Sequence, residues 1–273
     1  VKKTVLIQCP RKFCTVIPIF CKECLKHGIF DKIYCVTDGS ISVNDKRCQI
    51  ITHADKQFSA NLLFALDYIE EDVFLLCCED HIMIERHNKE EFEQTWKFMM
   101  DNPNVGSLRL THNRNVKFSG KSDINVNFSS VDSGLIKELS NKYSYLWSAQ
   151  PSWTQKKYLS RILKEGENAW QAEVYGSKRA RKGQFKKYCV TRDIYHATNF
   201  YKKGQYVRSH FVDYSIKNKL GIKFTLPVFV KQLVPIDGVD TMIKSIVPVS
   251  EYIHAKRKGT LNTILWQYRI VKR

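Results

Sequence analysis

The sequence predicts an α/β fold, a mostly parallel central sheet flanked by helices, followed by an irregular basic C-terminal extension. Three observations predict it. Short uninterrupted apolar runs (VLIQC at Val5–Cys9, IYCV at Ile33–Val36, QIIT at Gln49–Thr52, VFLLCC at Val73–Cys78) read as strands buried on both faces. Stretches of helical apolar spacing alternate with them, and repeated β-α-β units imply parallel pairing. Several runs stop abruptly at polar residues, as expected where ligands bind beyond the carboxyl ends of strands.

Val5–Cys9 is the first strand, and a brief helix around Cys21–His27 is closed by Gly28. Ile33–Val36 runs into Thr37-Asp38-Gly39, and Gln49–Thr52 is the third strand. Ser59 is expected to cap a helix with Leu62, Leu63, Leu66 and Ile69 on one face. Val73–Cys78, the most apolar strand, ends in Glu79-Asp80-His81. Asn88 with Glu91 has the capping-box spacing for a helix carrying Phe92, Trp96, Met99 and Met100 inward, stopped by Asn102-Pro103. Val105–Leu110 is another strand, and Thr111–Ser130 is a long loop or hairpin insertion. Thr154 is expected to cap a helix through Leu163, with Tyr158, Leu159 and Ile162 inward. Past Leu220 the pattern loses regularity, broken by Pro227, Pro235 and Pro248. These features divide the chain into a catalytic domain, 1–213, and a basic extension, 214–273.

Composition narrows the class. With 43% hydrophobic and 26% charged residues over 273 positions, a substantial core forms and wholesale disorder is excluded. No apolar run reaches spanning length, and the first ten residues lack the pattern of a secretory signal. Nine scattered cysteines then read as reduced thiols of a cytoplasmic protein. Cys21-x-x-Cys24 has no second pair with zinc spacing, and Cys77 and Cys78 point to opposite sides of a strand. A net charge of +17 favours an anionic partner, whether nucleic acid, an anionic membrane surface or a phosphorylated small molecule. The basic excess gathers in Gly176–Lys187 and in the last sixty residues.

Several enzyme classes lose their signals. There is no G-x-G, no G-x-x-x-x-G-K-[ST], no G-x-S-x-G and no H-E-x-x-H. What remains is an acidic turn at a buried strand's end. Glu79 and Asp80 repel one another until a divalent or cationic partner relieves them, and His81 adds a nitrogen ligand suited to Mn²⁺ over Ca²⁺. Downstream, Trp147, Gln150 and Trp153 lie within seven residues, and Trp170 precedes Glu173. Indoles can stack on sugar faces while amides and carboxylates bind hydroxyls; they can equally be core aromatics.

The order of FLLCCEDHIMI, Ser107-Leu108-Arg109-Leu110-Thr111, Gln150-Pro151-Ser152-Trp153…Tyr158-Leu159 and Trp170…Glu173…Gly176-Ser177 resembles a group of GT-A glycosyltransferases. The group occurs in bacteria and in large DNA viruses, including the chlorella viruses that build their own capsid glycans. The resemblance runs from about Val5 to about Gly204. It implies a transferase moving a sugar from a nucleotide-diphosphate sugar, UDP-linked first and UDP-xylose by viral analogy, to a glycan or glycoprotein hydroxyl. Location would be cytoplasmic, host cytoplasm for a virus. By position it implies Glu173 as catalytic base for inversion, with retention left open. It implies a donor site of Thr37, Asp38, Asn61, Glu79, Asp80, Arg109, Lys202 and Lys203, and a sugar site of Gln150, Trp153 and Trp170. The cofactor would be Mn²⁺ or Mg²⁺ on Asp80, His81 or both, with metal independence left open because His81 replaces the usual final Asp. The extension would pack on the catalytic domain as a helical cap or dock to a partner or an anionic membrane. The rival class is a nucleic-acid-binding protein, or a metal-dependent nuclease or nucleotidyltransferase, using the basic runs Gly176–Lys187 and Ala255–Lys258.

Overall fold

A computed structural model describes residues 2–55, 57–83, 87–112, 116–119 and 134–197, and the backbone of 198–199, 201–202, 205–207, 228–236 and 239–247. The chain divides into two units, Val1–Ala197 and Thr198–Arg273.

The first unit starts with β1 (Thr4–Cys9), a 3₁₀ segment Arg11–Val16 and α1 (Ile17–Lys26). Then come β2 (Lys32–Thr37), β3 (Cys48–Thr52), α2 (Phe58–Leu66), β4 (Val73–Cys78) and β5 (His81–Met83). It continues with α3 (Lys89–Asp101), β6 (Val105–Arg109), β7 (Ile136–Glu138) and β8 (Ser152–Gln155). α4 (Lys156–Ile162), α5 (Ala169–Lys182) and β9 (Lys186–Val190) complete it. One eight-stranded sheet runs in the order β3-β2-β1-β4-β8-β6-β9-β7. β3, β2, β1 and β4 are mutually parallel, and β9 is parallel to β6. β8 lies antiparallel between β4 and β6, and β7 is an antiparallel edge. The predicted α/β architecture, mostly parallel and flanked by helices, is the one this unit adopts.

The apolar runs explain the layering. All six residues of β1 are buried, as are the first five of β4, because helices cover both faces of the sheet's centre. One face packs α2, α4 and α5 through Leu62, Leu66, Leu159, Ile162 and Ala172 against Leu6, Val36, Phe74 and Leu76.

Four details correct the sequence expectations. Gln57, not Ser59, is the N-cap residue of α2; Ser59 lies inside the first turn and donates its hydroxyl to Glu167 O. Asn88 does cap α3, but Trp96 is only half-buried and Met100 is exposed; Thr95 and Phe98 take the inner face beside Phe92 and Met99. Thr154 is a strand residue: Ser152–Gln155 forms β8, and the helix begins at Lys156. The C-terminal extension contains a regular hairpin.

The second unit contains strands after β10 (Ala197–Asn199): β11 (Tyr201–Lys202), β12 (Gln205–Val207), β13 (Val228–Ile236) and β14 (Val239–Val247). β11 is antiparallel to β12 and β12 parallel to β13. β13 and β14 pair antiparallel from Val228↔Val247 to Ile236↔Val239. The apolar stretches expected to form a helical cap are therefore strands where described, and Pro235 is accommodated one residue from the hairpin's end. Pro227, Pro248 and the basic run Ala255–Lys258 lie outside the described residues, as does most of the 111–130 insertion. Among the described residues no helix is long and apolar enough to cross a membrane.

Candidate active site

Strand direction assembles the site. The carboxyl ends of β1, β2, β3, β4, β6 and β9 share one edge of the sheet with the start of β8, because Ser152 pairs with both Leu76 and Arg109. Successive strands are laid outward from β1 to β3, and the order reverses between β1 and β4. In such sheets the reversal opens a crevice at the carboxyl ends, the usual ligand position. Here Cys9-Pro10-Arg11 and Cys78-Glu79-Asp80 border it.

Glu79 is buried, and burial first, then the neighbouring Asp80 carboxylate, pushes its pKa up to about 8. Asp80 is more open and faces His81, whose Nδ1 stands 3.6 Å from Asp80 Oδ1. That Nδ1 is buried without a hydrogen-bond partner. Burial pushes the His81 pKa down, partly opposed by Asp80, which favours the neutral ring, the form that ligates metals. The backbone of this turn is held from behind: Tyr195 donates its hydroxyl to His81 O at 2.7 Å. One donor atom each from Cys78, Asp80 and His81 lie within 4.8 Å of one another, a set that fits a divalent cation. Cys78 was not foreseen, although it directly precedes the acidic turn.

Glu173 reaches the same edge from α5. Its Oε1 accepts the Ala149 N–H at 2.9 Å, while Ala149 O accepts from Cys78 Sγ at 3.7 Å. Ala149 thus stands between the candidate base and the cation-binding turn. One face of α5 clasps this segment. Ser177, one turn beyond Glu173, accepts from Trp147 N at 3.1 Å and donates to Trp147 O at 2.9 Å. Gly176 lets the Trp147 indole approach: a Cβ there would sit 3.1 Å from the ring. Burial raises the Glu173 pKa, with the Ala149 N–H and the Arg109 charge opposing. Glu173 does not pair with the arginines further along α5: Arg179 grips Glu167 with both Nη atoms and Arg181 binds the carbonyls of Asn141 and Tyr143.

At the other side of the crevice, Asp38 Oδ1 accepts the Arg11 N–H at 2.6 Å, capping the 3₁₀ segment after β1. Arg11 and Lys12 are exposed there, and Lys12 is close enough to act on the Glu79 charge. These two cations were missed; the signal was a Pro-Arg-Lys directly after the first buried strand. His53, after β3, was also missed. It follows its strand as Asp38 follows β2, stacks on Phe64, and meets Asn61 Oδ1 through Nδ1 at 2.9 Å.

Other expected site residues are placed differently. Thr37 is fully buried, and its hydroxyl accepts the Gly39 N–H and contacts Cys14 Sγ. Asn61 is buried under His53, offering no surface to a diphosphate. Arg109 is buried and spends its guanidinium on Tyr143 Oη and Tyr145 O, so it positions the loop before β8. Trp153 is 0% exposed in the middle of the sheet, its indole N–H donated to Thr95 Oγ1, which makes it a core aromatic. Trp147 is core as well. Gln150 and Trp170 are exposed, the latter 63%. Lys203 and the Lys202 side chain lie outside the described residues. Cys21 and Cys24 are buried free thiols on α1.

No protein-family model and no curated protein matches the chain. Among solved structures it is similar to the mannosyltransferase PcManGT from Pyrobaculum calidifontis in complex with GDP-Man and Mn²⁺, at 12% identity and TM-score 0.46, covering 74% of this chain and 58% of that one. It is also similar to S. aureus TarS 1–349, at 13% identity and TM-score 0.45, covering 72% and 60%. A third is CMP:2-keto-3-deoxy-manno-octonic acid synthetase complexed with CTP, at 12% identity and TM-score 0.45, covering 81% and 99%. The chain spans less than two thirds of the length of the first two.

Proposed function

We propose that this chain is a glycosyltransferase that moves a sugar from a nucleotide-diphosphate sugar to a hydroxyl of a glycan or glycoprotein acceptor. The carrying observation is the meeting, across Ala149, of a cation-binding turn with a separately held carboxylate. Phosphoryl leaving groups need the first, and acceptor activation needs the second.

In this reading the nucleoside lies toward Asp38, and the diphosphate lies in the crevice between Arg11-Lys12 and Asp80-His81. A divalent cation held by Asp80 and His81 would neutralise the charge that develops on the diphosphate. Glu173 does the proton chemistry. One of its oxygens is fixed by the Ala149 N–H, which leaves the other for the acceptor hydroxyl. As the acceptor oxygen bonds to the anomeric carbon, its proton passes to Glu173 and the sugar–diphosphate bond breaks on the opposite face, with inversion. Partial burial raises the carboxyl pKa and makes it a stronger base. Gln150 and the exposed Trp170 are the acceptor-side contacts. Thr37, Arg109 and Trp153 support the scaffold from within.

The nucleic-acid reading loses part of its footing. Arg179, Arg181 and Lys187 of the central basic run are spent on Glu167 and on the carbonyls of Asn141, Tyr143 and Ala180. The test is a panel of UDP- and GDP-sugars, UDP-xylose included, assayed for nucleoside diphosphate release with and without Mn²⁺ or Mg²⁺, beside single-stranded DNA binding. Donor-specific release supports transfer. Salt-sensitive DNA binding with no release from any donor rejects it.

A further inference from the structure

We infer that Cys78 is a metal ligand, and that the Cys78–Asp80–His81 turn selects a thiophilic divalent ion, Zn²⁺ or Co²⁺, over Mg²⁺. The inference concerns the ion at the site used above, but the ligand geometry supports it whether or not the chain transfers sugar. Sγ of Cys78, a carboxylate oxygen of Asp80 and a ring nitrogen of His81 come within 4.8 Å of one another, among the described residues the one such group. The second observation is His81 Nδ1, an aromatic nitrogen enclosed by protein that has no hydrogen-bond partner. A buried polar atom without a partner is costly, and a bound cation removes that cost.

Donor chemistry sets the ion. Mg²⁺ takes oxygen ligands in octahedral geometry and is not selected by sulfur or imidazole. One thiolate, one imidazole and one carboxylate form the mixed set that Zn²⁺ accepts, with a fourth position left for a water or phosphate oxygen. The strand explains the spacing. Cys78 is the last residue of β4 and His81 the first of β5, so the two-residue turn Glu79-Asp80 folds the three ligands back on themselves. Cys78 donates an S–H hydrogen bond to Ala149 O. Binding replaces the S–H bond with a sulfur–metal bond, and the proton leaves to the buffer. Ala149 O then loses its bond from Cys78 while Ala149 N–H still holds Glu173, so metal loading bears on the segment that orients the base.

The experiment uses the full chain, stripped with chelator and without any nucleotide sugar. One equivalent of Co²⁺ should give a thiolate-to-cobalt charge-transfer band, and one equivalent of Zn²⁺ should abolish it while excess Mg²⁺ leaves it intact. C78S should lose the band and weaken Zn²⁺ binding by more than the roughly 10–100-fold typical of losing an outer-shell partner. X-ray absorption on Zn²⁺-loaded wild type, which needs no variant, should show one sulfur at about 2.3 Å among nitrogen and oxygen neighbours. A first shell without sulfur, or a band unchanged in C78S, overturns the inference. Either result leaves transfer with a hard ion standing. Loss of transfer alone, with the sulfur shell present, rejects the enzyme reading and keeps the site.

Discussion

Cys14 is a buried thiol near the rim whose pKa is lowered. Its hydrogen bond with Cys9, and then its contact with Thr37, pull its pKa down to about 7 against the opposing effect of burial. Cys48 is held low in the same way by Cys21, whereas burial pushes Cys9, Cys24, Cys35, Cys77 and Cys78 up. Because the thiolate is the nucleophile, Cys14 should be half ionised near pH 7. Iodoacetamide followed by peptide mass spectrometry should therefore label Cys14 and Cys48 first, with Cys14 labelling rising through pH 7. Nucleoside diphosphate should slow labelling at Cys14 alone. Equal labelling of Cys35 would contradict this account of the rim. Glu173 gives the second residue-scale prediction. E173Q should lower kcat by about 10²–10⁴ with donor binding retained, since general-base assistance contributes that much. A base is active deprotonated and this carboxyl is shifted upward, so wild-type kcat should fall as pH drops on a limb above 4.5. The limb should vanish in E173Q; a variant within about threefold of wild type would remove Glu173 from the chemistry. That Glu79-Asp80-His81 directly follows a buried strand was legible in the sequence, because strand ends and polar clusters are local. Trp153 misled because a tryptophan in a polar context reads alike on a sugar site and on a central strand.

At the scale of elements, β6 and α4 meet over a glycine. A Cβ on Gly106 would lie 2.5 Å from Tyr158 Cγ and 2.9 Å from Phe185 Cβ, because the tyrosine ring lies flat on the strand. Both rings belong to the packing between α4, β6 and the start of β9, and Tyr158 is fully buried. The buried Tyr158 ring cannot withdraw without opening the core, so G106A should destabilise by about 1–3 kcal/mol through overpacking. Urea unfolding measures it, and a change below about 0.5 kcal/mol would mean that this packing is looser than described. The parallel strands β1 to β4 were readable because burial on both faces writes them as unbroken apolar runs. β8 was not. Its four residues are Ser-Trp-Thr-Gln, polar enough to resemble a helix cap, and only pairing on both sides with β4 and β6 makes them a strand. The hairpin of β13 and β14 was missed for a related reason: Pro235 reads as a break, yet it sits beside the turn where a ladder tolerates it.

For the molecule as a whole, the +17 charge divides into uses. Part of the basic run at the end of α5 neutralises Glu167 and binds carbonyls, and its place at a helix C-terminus suits the helix dipole. Arg11 and Lys12 stand at the crevice, where the sheet order reverses and the acidic turn faces them. Sequence alone could name the acidic turn and Glu173 but could not join them, because their meeting depends on Ala149 arriving between them from the start of β8. The most direct test of that junction is nucleotide-sugar turnover by wild type and D80A, at saturating divalent metal, on the donor found in the panel. The account predicts that D80A keeps the wild-type fold by circular dichroism, because Asp80 is a partly exposed turn residue, and loses nearly all turnover and metal-dependent stabilisation by nucleoside diphosphate. Turnover unchanged in a folded D80A protein would contradict it.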